Sequence, residues 1–187
     1  MTNTMNRNIE IEARFLACAD SWRGKGTAVE IYQGYLATEE NMAIRFRLSQ
    51  DNAILTLKGK TKGLTRKEFE FTFNETQKAR QVIAEFCAHP IKKIRHKIEH
   101  GEFLWEVDEY KGENEGLVIA EVEFEHEEDY QKMSDLGKPP WVGKEITRDA
   151  WQYTNARLSV RPFSMWSAEE KRDMLSHAAG SAPECLK

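Results

Sequence analysis

The feature that most constrains the fold is an alternation of period two that recurs along most of the chain. In residues 9–15, Ile9, Ile11, Ala13 and Phe15 interleave with Glu10, Glu12 and Arg14. Successive side chains of a β-strand point to opposite faces, so this run reads as a strand with one apolar and one charged side. The pattern returns with Arg45 and Arg47 against Ile44, Phe46 and Leu48, and with Lys58 and Lys60 against Leu55 and Leu57. Further on, Glu68 and Glu70 oppose Phe69, Phe71 and Phe73, while Lys93, Arg95, Lys97 and Glu99 oppose Ile94 and Ile98. Glu106 and Asp108 then oppose Trp105 and Val107, and Glu121 and Glu123 oppose Ala120, Val122 and Phe124. With a further run at 30–37 this predicts about eight short strands, and the tight turns between them favour antiparallel pairing.

The sign of the charged stripe changes from strand to strand, so closing the strands together would create one compartment lined by acids and bases. Eight antiparallel strands can close into a barrel that holds a small ligand. Inward charges require water or ions in the lumen, because unpaired buried charge is costly. The apolar outer face must then be covered. The expected architecture is mainly β (α+β): an eight-stranded antiparallel closed barrel forming a charged tunnel, with helices packed outside. Helical periodicity falls at 74–88, where Asn74 and Gln77 have capping-box spacing, at 127–136, at 150–158 with Asp149 near its start, and after Ser167 and Glu170. Residues 137–143 read as a Pro-Pro loop, and Trp105, Trp141, Trp151 and Trp166 as outer-shell packing. No repeat or linker interrupts the 187 residues, which read as a single domain with a core at about 8–160 and a C-terminal helix and frayed tail at 161–187.

Composition excludes several classes. A net charge of −4 argues against nucleic acid as a partner but permits a local basic pocket. Cys18, Cys87 and Cys185 form neither a CxxC pair nor an even framework, which fits a reducing cytosol and argues against structural zinc. His89, His96, His100, His126 and His177 lack ligand spacing. No apolar run approaches the ~20 residues that span a bilayer, so a cytoplasmic protein without a membrane partner is expected. Oligomeric state stays open, a homodimer included.

The charged faces together offer Arg14, Arg45, Arg47, Lys58, Lys60, Lys93 and Arg95 beside Glu10, Glu12, Glu68, Glu70, Glu106, Asp108, Glu121 and Glu123. Cations on several strands can surround successive phosphoryl groups. Carboxylates in reach of a phosphate make sense mainly as ligands of Mg²⁺ or Mn²⁺. Metal plus cationic clamp is a recurring solution to phosphoryl transfer.

These residues resemble, in order, the motifs of the CYTH superfamily, the triphosphate tunnel metalloenzymes. The run Glu10-Ile-Glu12-Ala-Arg14 is similar to its ExExK signature. Gly34-Tyr35-Leu36, Arg45-Phe-Arg47, Leu57-Lys58-Gly59-Lys60, Glu68-Phe-Glu70, Lys93-Ile-Arg95, Trp105-Glu106-Val-Asp108, Glu121-Val-Glu123 and Gly143-Lys144-Glu145-Ile-Thr147 follow. The resemblance implies an eight-stranded tunnel and metal-dependent action on small triphosphates, with inorganic triphosphate foremost and a nucleoside triphosphate as the variant. It implies Glu10, Glu12, Glu121 and Glu123 as metal ligands or water-positioning groups, with Asp108 either a metal contact or a structural partner. Arg45, Arg47, Lys58, Lys60, Lys93 and Arg95 match the phosphate clamp, and Lys144 matches a family motif. Tyr35 and Lys93 compete for the proton-transfer role. Position 14 departs from the family lysine. Arginine there can bind phosphate, but its pKa is too high for it to surrender a proton. Beside a triphosphatase stand a class IV-like adenylate cyclase and a non-catalytic polyphosphate- or nucleotide-binding protein.

Overall fold

Among the described residues, nine strands form one antiparallel sheet in the order β5-β4-β3-β2-β6-β7-β8-β1-β9, and a further pairing of β1 with β5 closes eight of them into a barrel. The structure is a computed structural model that describes residues 8–50, 52–147 and 151–179. The expectations placed on Asp149, on the side chain of His177, on Cys185 and on the end beyond residue 179 lie outside these residues. The strands are β1 (Ile9–Ala17), β2 (Thr27–Glu39), β3 (Met42–Ser49), β4 (Asn52–Gly59), β5 (Thr65–Phe73), β6 (Ile91–His100), β7 (Phe103–Lys111), β8 (Val118–Glu123) and β9 (Val142–Glu145). The helices are α1 (Thr76–Phe86), α2 (Asp129–Leu136), α3 (Asn155–Leu158) and α4 (Ala168–Ala179).

The seam of the barrel is short. β1 meets β5 through Ile9–Lys67, Glu10–Arg66 and Ile11–Thr65, with Glu68 N–H donating to the Asn8 carbonyl (3.1 Å) and Glu12 N–H to the Leu64 carbonyl (3.2 Å) at its ends, and farther along the same strand β9 pairs at Phe15 and Ala17. β9 begins inside the Pro-Pro loop expected at 137–143 and runs into the motif at 143–147, and four residues beside two prolines carry too little alternation to announce a strand.

The alternating pattern places the apolar stripes outward, where loops and helices cover them. Ala13, Phe15, Trp105, Val107, Ala120 and Val122 pack with Trp22, Met133 of α2 and Trp141. Phe46, Leu48 and Ala53 pack beneath Ala79 and Ile83 of α1. Close approach of α1 depends on Gly34, where a Cβ would fall 2.5 Å from Cys87 Sγ and 2.8 Å from Ile83 Cγ2. The expected capping box of α1 is not used: Glu75 occupies the N-cap position without a side-chain cap. The one expected at α4 forms reciprocally, with Ser167 N–H donating to Glu170 Oε2 (2.6 Å) and Glu170 N–H to Ser167 Oγ (3.1 Å).

One end of the barrel is covered by the C-terminal segment. Leu16, Ile91, Tyr110 and Ile119 stand on the same strand faces as the charged stripes but are apolar there. They are buried together with Tyr153, Leu158, Phe163, Trp166 and Met174. Trp166 therefore belongs to an end cap rather than to the outer shell, and Trp151 is exposed. The helix expected over 150–158 is divided into a 3-10 turn at Trp151–Tyr153 and the four-residue α3. The segment must bend to lay its aromatic residues across the barrel end.

Candidate active site

The inward stripes enclose a cavity of about 780 Å³. Glu10, Glu12, Arg14, Tyr35, Arg45, Arg47, Lys58, Arg95, Glu121 and Glu123 all line it. Strand register explains how. Glu12 stands opposite Glu123 and Arg14 opposite Glu121 across β1 and β8, and Glu121 faces Glu106 of β7. Tyr35 faces Arg45 across β2 and β3, next to a register shift between Tyr35 and Ala37. A bulge of this kind re-aims side chains beside a site.

Four expected site residues do not line the cavity. Lys60 projects to the exterior and pairs with the exposed Glu40 (2.7 Å). Lys144 is exposed on β9. The motif around Lys144 fastens the site from behind, since Arg14 N–H donates to Thr147 Oγ1 (3.0 Å) and Ile146 N–H to the Arg14 carbonyl (2.7 Å). Lys93 and Asp108 pair with each other in the wall, their side chains 1% and 0% exposed.

The wall pair belongs to a network centred on Arg95. Its Nε donates to Asp108 Oδ1 (2.7 Å), and its Nη2 donates to Asp108 Oδ2 (2.7 Å) and Glu121 Oε2 (2.8 Å), while Nη1 reaches Glu106. Burial would push the Asp108 carboxyl up, but Arg95 and Lys93 outweigh it and hold its pKa at about 2. Burial, reinforced by Arg95, lowers the Lys93 ammonium to about 8. Across the lumen, Lys58 joins Glu10 (3.0 Å) to Glu68 (2.8 Å). Burial acts against the charged form of Glu10, yet Lys58 and Arg66 keep its carboxyl well below the usual range. Glu68, desolvated and hydrogen-bonded to Glu10, rises to about 7.

Two groups of charges lack full compensation. Arg45 Nη2 donates to Thr56 Oγ1 (3.1 Å) and stands 3.6–3.8 Å from Glu70 and Glu68, while its Nε has no hydrogen-bond partner among the described residues. Arg14 Nε likewise lacks one, and lies 3.6 Å from Glu12. Arg47 shares Glu70 (3.1 Å), and burial together with Arg45 depresses its pKa. Glu123 is reached by solvent but enclosed by the tunnel wall. That enclosure, with Glu106, Glu10, Glu12 and Glu121 around it, raises its carboxyl to about 7. The lumen thus holds arginines with unused donors together with Glu123, an acid that has no ion-pair partner among the described residues. Arg66, which the sequence expectation does not include, also lines the cavity from the strand face of Glu68 and Glu70. Thr154 and Asn155 also line the cavity, and no strand pattern marks them.

The CYTH domain model matches residues 8–149, about the whole barrel. The chain belongs to the CYTH family. An inorganic triphosphatase of Acetivibrio thermocellus is 37% identical over 155 residues, covering 82% of this chain and 95% of that protein. An inorganic triphosphatase of Nitrosomonas europaea is 33% identical, covering 81% and 97%. Among solved CYTH-like structures, the inorganic triphosphatase NE1496 superposes with a TM-score of 0.59 at 29% identity, covering 81% of this chain and 94% of that one. The fold is also shared with HpAC1 from Hippeastrum, a candidate adenylyl cyclase with a dominant triphosphatase activity, at 14% identity and a TM-score of 0.54 over 81% and 94% of the two chains.

Within this CYTH site, Arg45→Ala is expected to lower kcat/KM for a triphosphate by about 10- to 100-fold. A charge-assisted hydrogen bond is worth about 1.5–3 kcal/mol, and Arg45 spends little of its capacity on neighbouring acids. Its thermal unfolding should stay near that of the wild type. Steady-state kinetics check this, and near-wild-type values would mean that Arg45 does not meet the substrate.

Proposed function

We propose that the protein hydrolyses inorganic triphosphate, or a closely related small triphosphate, inside this tunnel with the help of Mg²⁺ or Mn²⁺. The observation that carries the reading is uncompensated charge of both signs in one cavity: Arg14 and Arg45, each with an unused donor, share the lumen with Glu123, whose carboxyl is enclosed among other acids and has no ion-pair partner among the described residues. The names of the two curated relatives support the same substrate.

Among the described residues, no three acidic or metal-binding side chains converge as a preformed metal site. The donor set nonetheless suits a hard divalent cation, because Glu10, Glu12, Glu121 and Glu123 supply only oxygen and the acids around Glu123 repel one another. These four would hold the ion. Asp108 is a structural partner of Lys93 and Arg95 in this reading. When bound, such an ion supplies neutralisation of phosphate charge and a more acidic bound water. Arg14, Arg45 and Arg47 bind the phosphate chain and neutralise the departing group.

Tyr35 lines the cavity whereas Lys93 sits behind its wall, so Tyr35 is the better placed to exchange a proton with the reacting groups. Tyr35→Phe is expected to lower kcat by about 100-fold or more and to remove one limb of the pH–rate profile. An unchanged profile in Tyr35→Phe, together with loss of a limb in Lys93→Arg, would transfer the role to Lys93. Arginine preserves the pair with Asp108 but cannot deprotonate.

The direct test is phosphate release from triphosphate with Mg²⁺ or Mn²⁺, assayed beside ATP with detection of cyclic AMP. Release from triphosphate well above that from ATP, without cyclic AMP, is expected. Cyclic AMP formation would establish the cyclase reading. Tight binding without turnover of either substrate would establish a binding protein.

A further inference from the structure

Arg66 stands directly across from Glu10 where β5 meets β1. Its Nε donates to Glu10, and its Nη2 donates to Glu12 Oε1 at 3.1 Å. Among the described residues these two acids are its ion-pair partners. They are also two of the carboxylates assigned above to the divalent cation. A divalent cation on Glu10 and Glu12 competes with Arg66 for the same negative charge and repels its guanidinium, so occupancy of the two acids weakens their hold on Arg66. Lys58 differs, because Glu68 retains it when Glu10 is withdrawn.

A displaced Arg66 does not leave the tunnel. It lines the cavity, is 19% exposed at its side chain, and shares the lumen with Arg45 and Lys58. Rotamer changes in a long side chain move its tip without moving the strand, and a planar fork of donors suits a phosphate as well as a carboxylate. We propose that Arg66 is an exchange residue that neutralises Glu10 and Glu12 in the free protein and turns to the phosphate chain once a divalent cation occupies them. Metal and triphosphate are then coupled through one side chain, each favouring the other by the same factor. The inference rests on the triphosphatase reading for its substrate, but its metal half can be measured without turnover.

The two halves predict effects of opposite sign. In calorimetric titrations at about pH 8, where ordinary carboxylates are ionised, Arg66→Ala should bind Mg²⁺ about tenfold more tightly than the wild type, since a competing charge-assisted contact has gone. Its KM for triphosphate at saturating Mg²⁺ should rise by about tenfold or more for the same reason. Arg66→Lys, whose ammonium cannot span both acids, should fall between on both measures. Unchanged or weaker Mg²⁺ binding in Arg66→Ala overturns the exchange, and an unchanged KM does the same. If Arg66→Ala does not unfold cooperatively, Arg66→Lys decides by the same criteria. Tighter Mg²⁺ binding in the variant, with no phosphate released from triphosphate even by the wild type, would keep the competition for Glu10 and Glu12 and sink the triphosphatase reading instead.

Discussion

Arg95→Ala is expected to destabilise the fold by about 3–5 kcal/mol, the range for removing one partner from a buried ionic network. The side chain is 10% exposed, and its loss would leave Asp108, Glu106 and Glu121 short of a cation in the barrel wall. Against a total stability of about 5–15 kcal/mol, this is a severe loss. For a chain of this size it lowers Tm by about 6–20 °C. Arg95 and Arg45 occupy similar places in the sequence pattern, and from sequence both read as phosphate clamps. The structure separates them, because Arg95 has committed its donors to three carboxylates whereas Arg45 has not. Thermal unfolding of the two alanine variants would check the distinction. A Tm within about 2 °C of wild type for Arg95→Ala, with a raised KM, would return Arg95 to the clamp.

Glu123→Gln should abolish metal-dependent turnover while stabilising the metal-free protein. Burial and four neighbouring acids lift the Glu123 carboxyl from 4.5 to about 7 in the folded state. A raised carboxyl favours folding fully below its unfolded value, and that contribution is lost as pH rises through the folded value. The metal-free wild type should therefore lose stability between pH 4.5 and 7 through this group. Glutamine removes the repelling charge. Solvent reaches Glu123, so the shift is discounted for screening, leaving a gain of about 1 kcal/mol above neutrality, or about 2–4 °C in Tm. Mg²⁺ should raise the wild-type Tm and leave that of the variant nearly unchanged. Full activity of Glu123→Gln at saturating Mg²⁺ would remove the carboxylate wall from the metal site, and an equal or lower Tm at pH above 7 would refute the repulsion.

The barrel was legible because its determinant is local. Alternation of charged and apolar residues fixes which face of each strand points inward, and antiparallel pairing follows from the short turns. The inversion, charges in and aromatics out, could be read from Phe69, Phe71 and Phe73 lying opposite Glu68 and Glu70. Arg66 carries the same alternation, but a single arginine before two glutamates is indistinguishable in sequence from a strand end. The functions of Lys60 and Lys144 were less legible, since shared motif position says nothing about where a strand leaves the lumen. Arg95 as a structural hub was illegible for another reason. Cross-strand pairing with Asp108 requires the register of β6 and β7, which no single strand encodes. The end cap was least accessible, because Tyr153, Leu158 and Trp166 are ordinary core residues until the chain bends them across the barrel.

That cap makes the tunnel a blind one. With Tyr110 donating to Asn155 Oδ1 at 2.7 Å and the aromatic cluster packed on the strands behind it, the described residues fill that end of the barrel. Whatever enters must back out by the way it came. A phosphate polymer longer than the cavity would have to trail into solvent and present only its terminus to the arginines. Cleavage would proceed from the ends of chains and never from their middles. The two products of each turnover would also queue at one doorway, so the order in which they depart is set by which of them lies deeper.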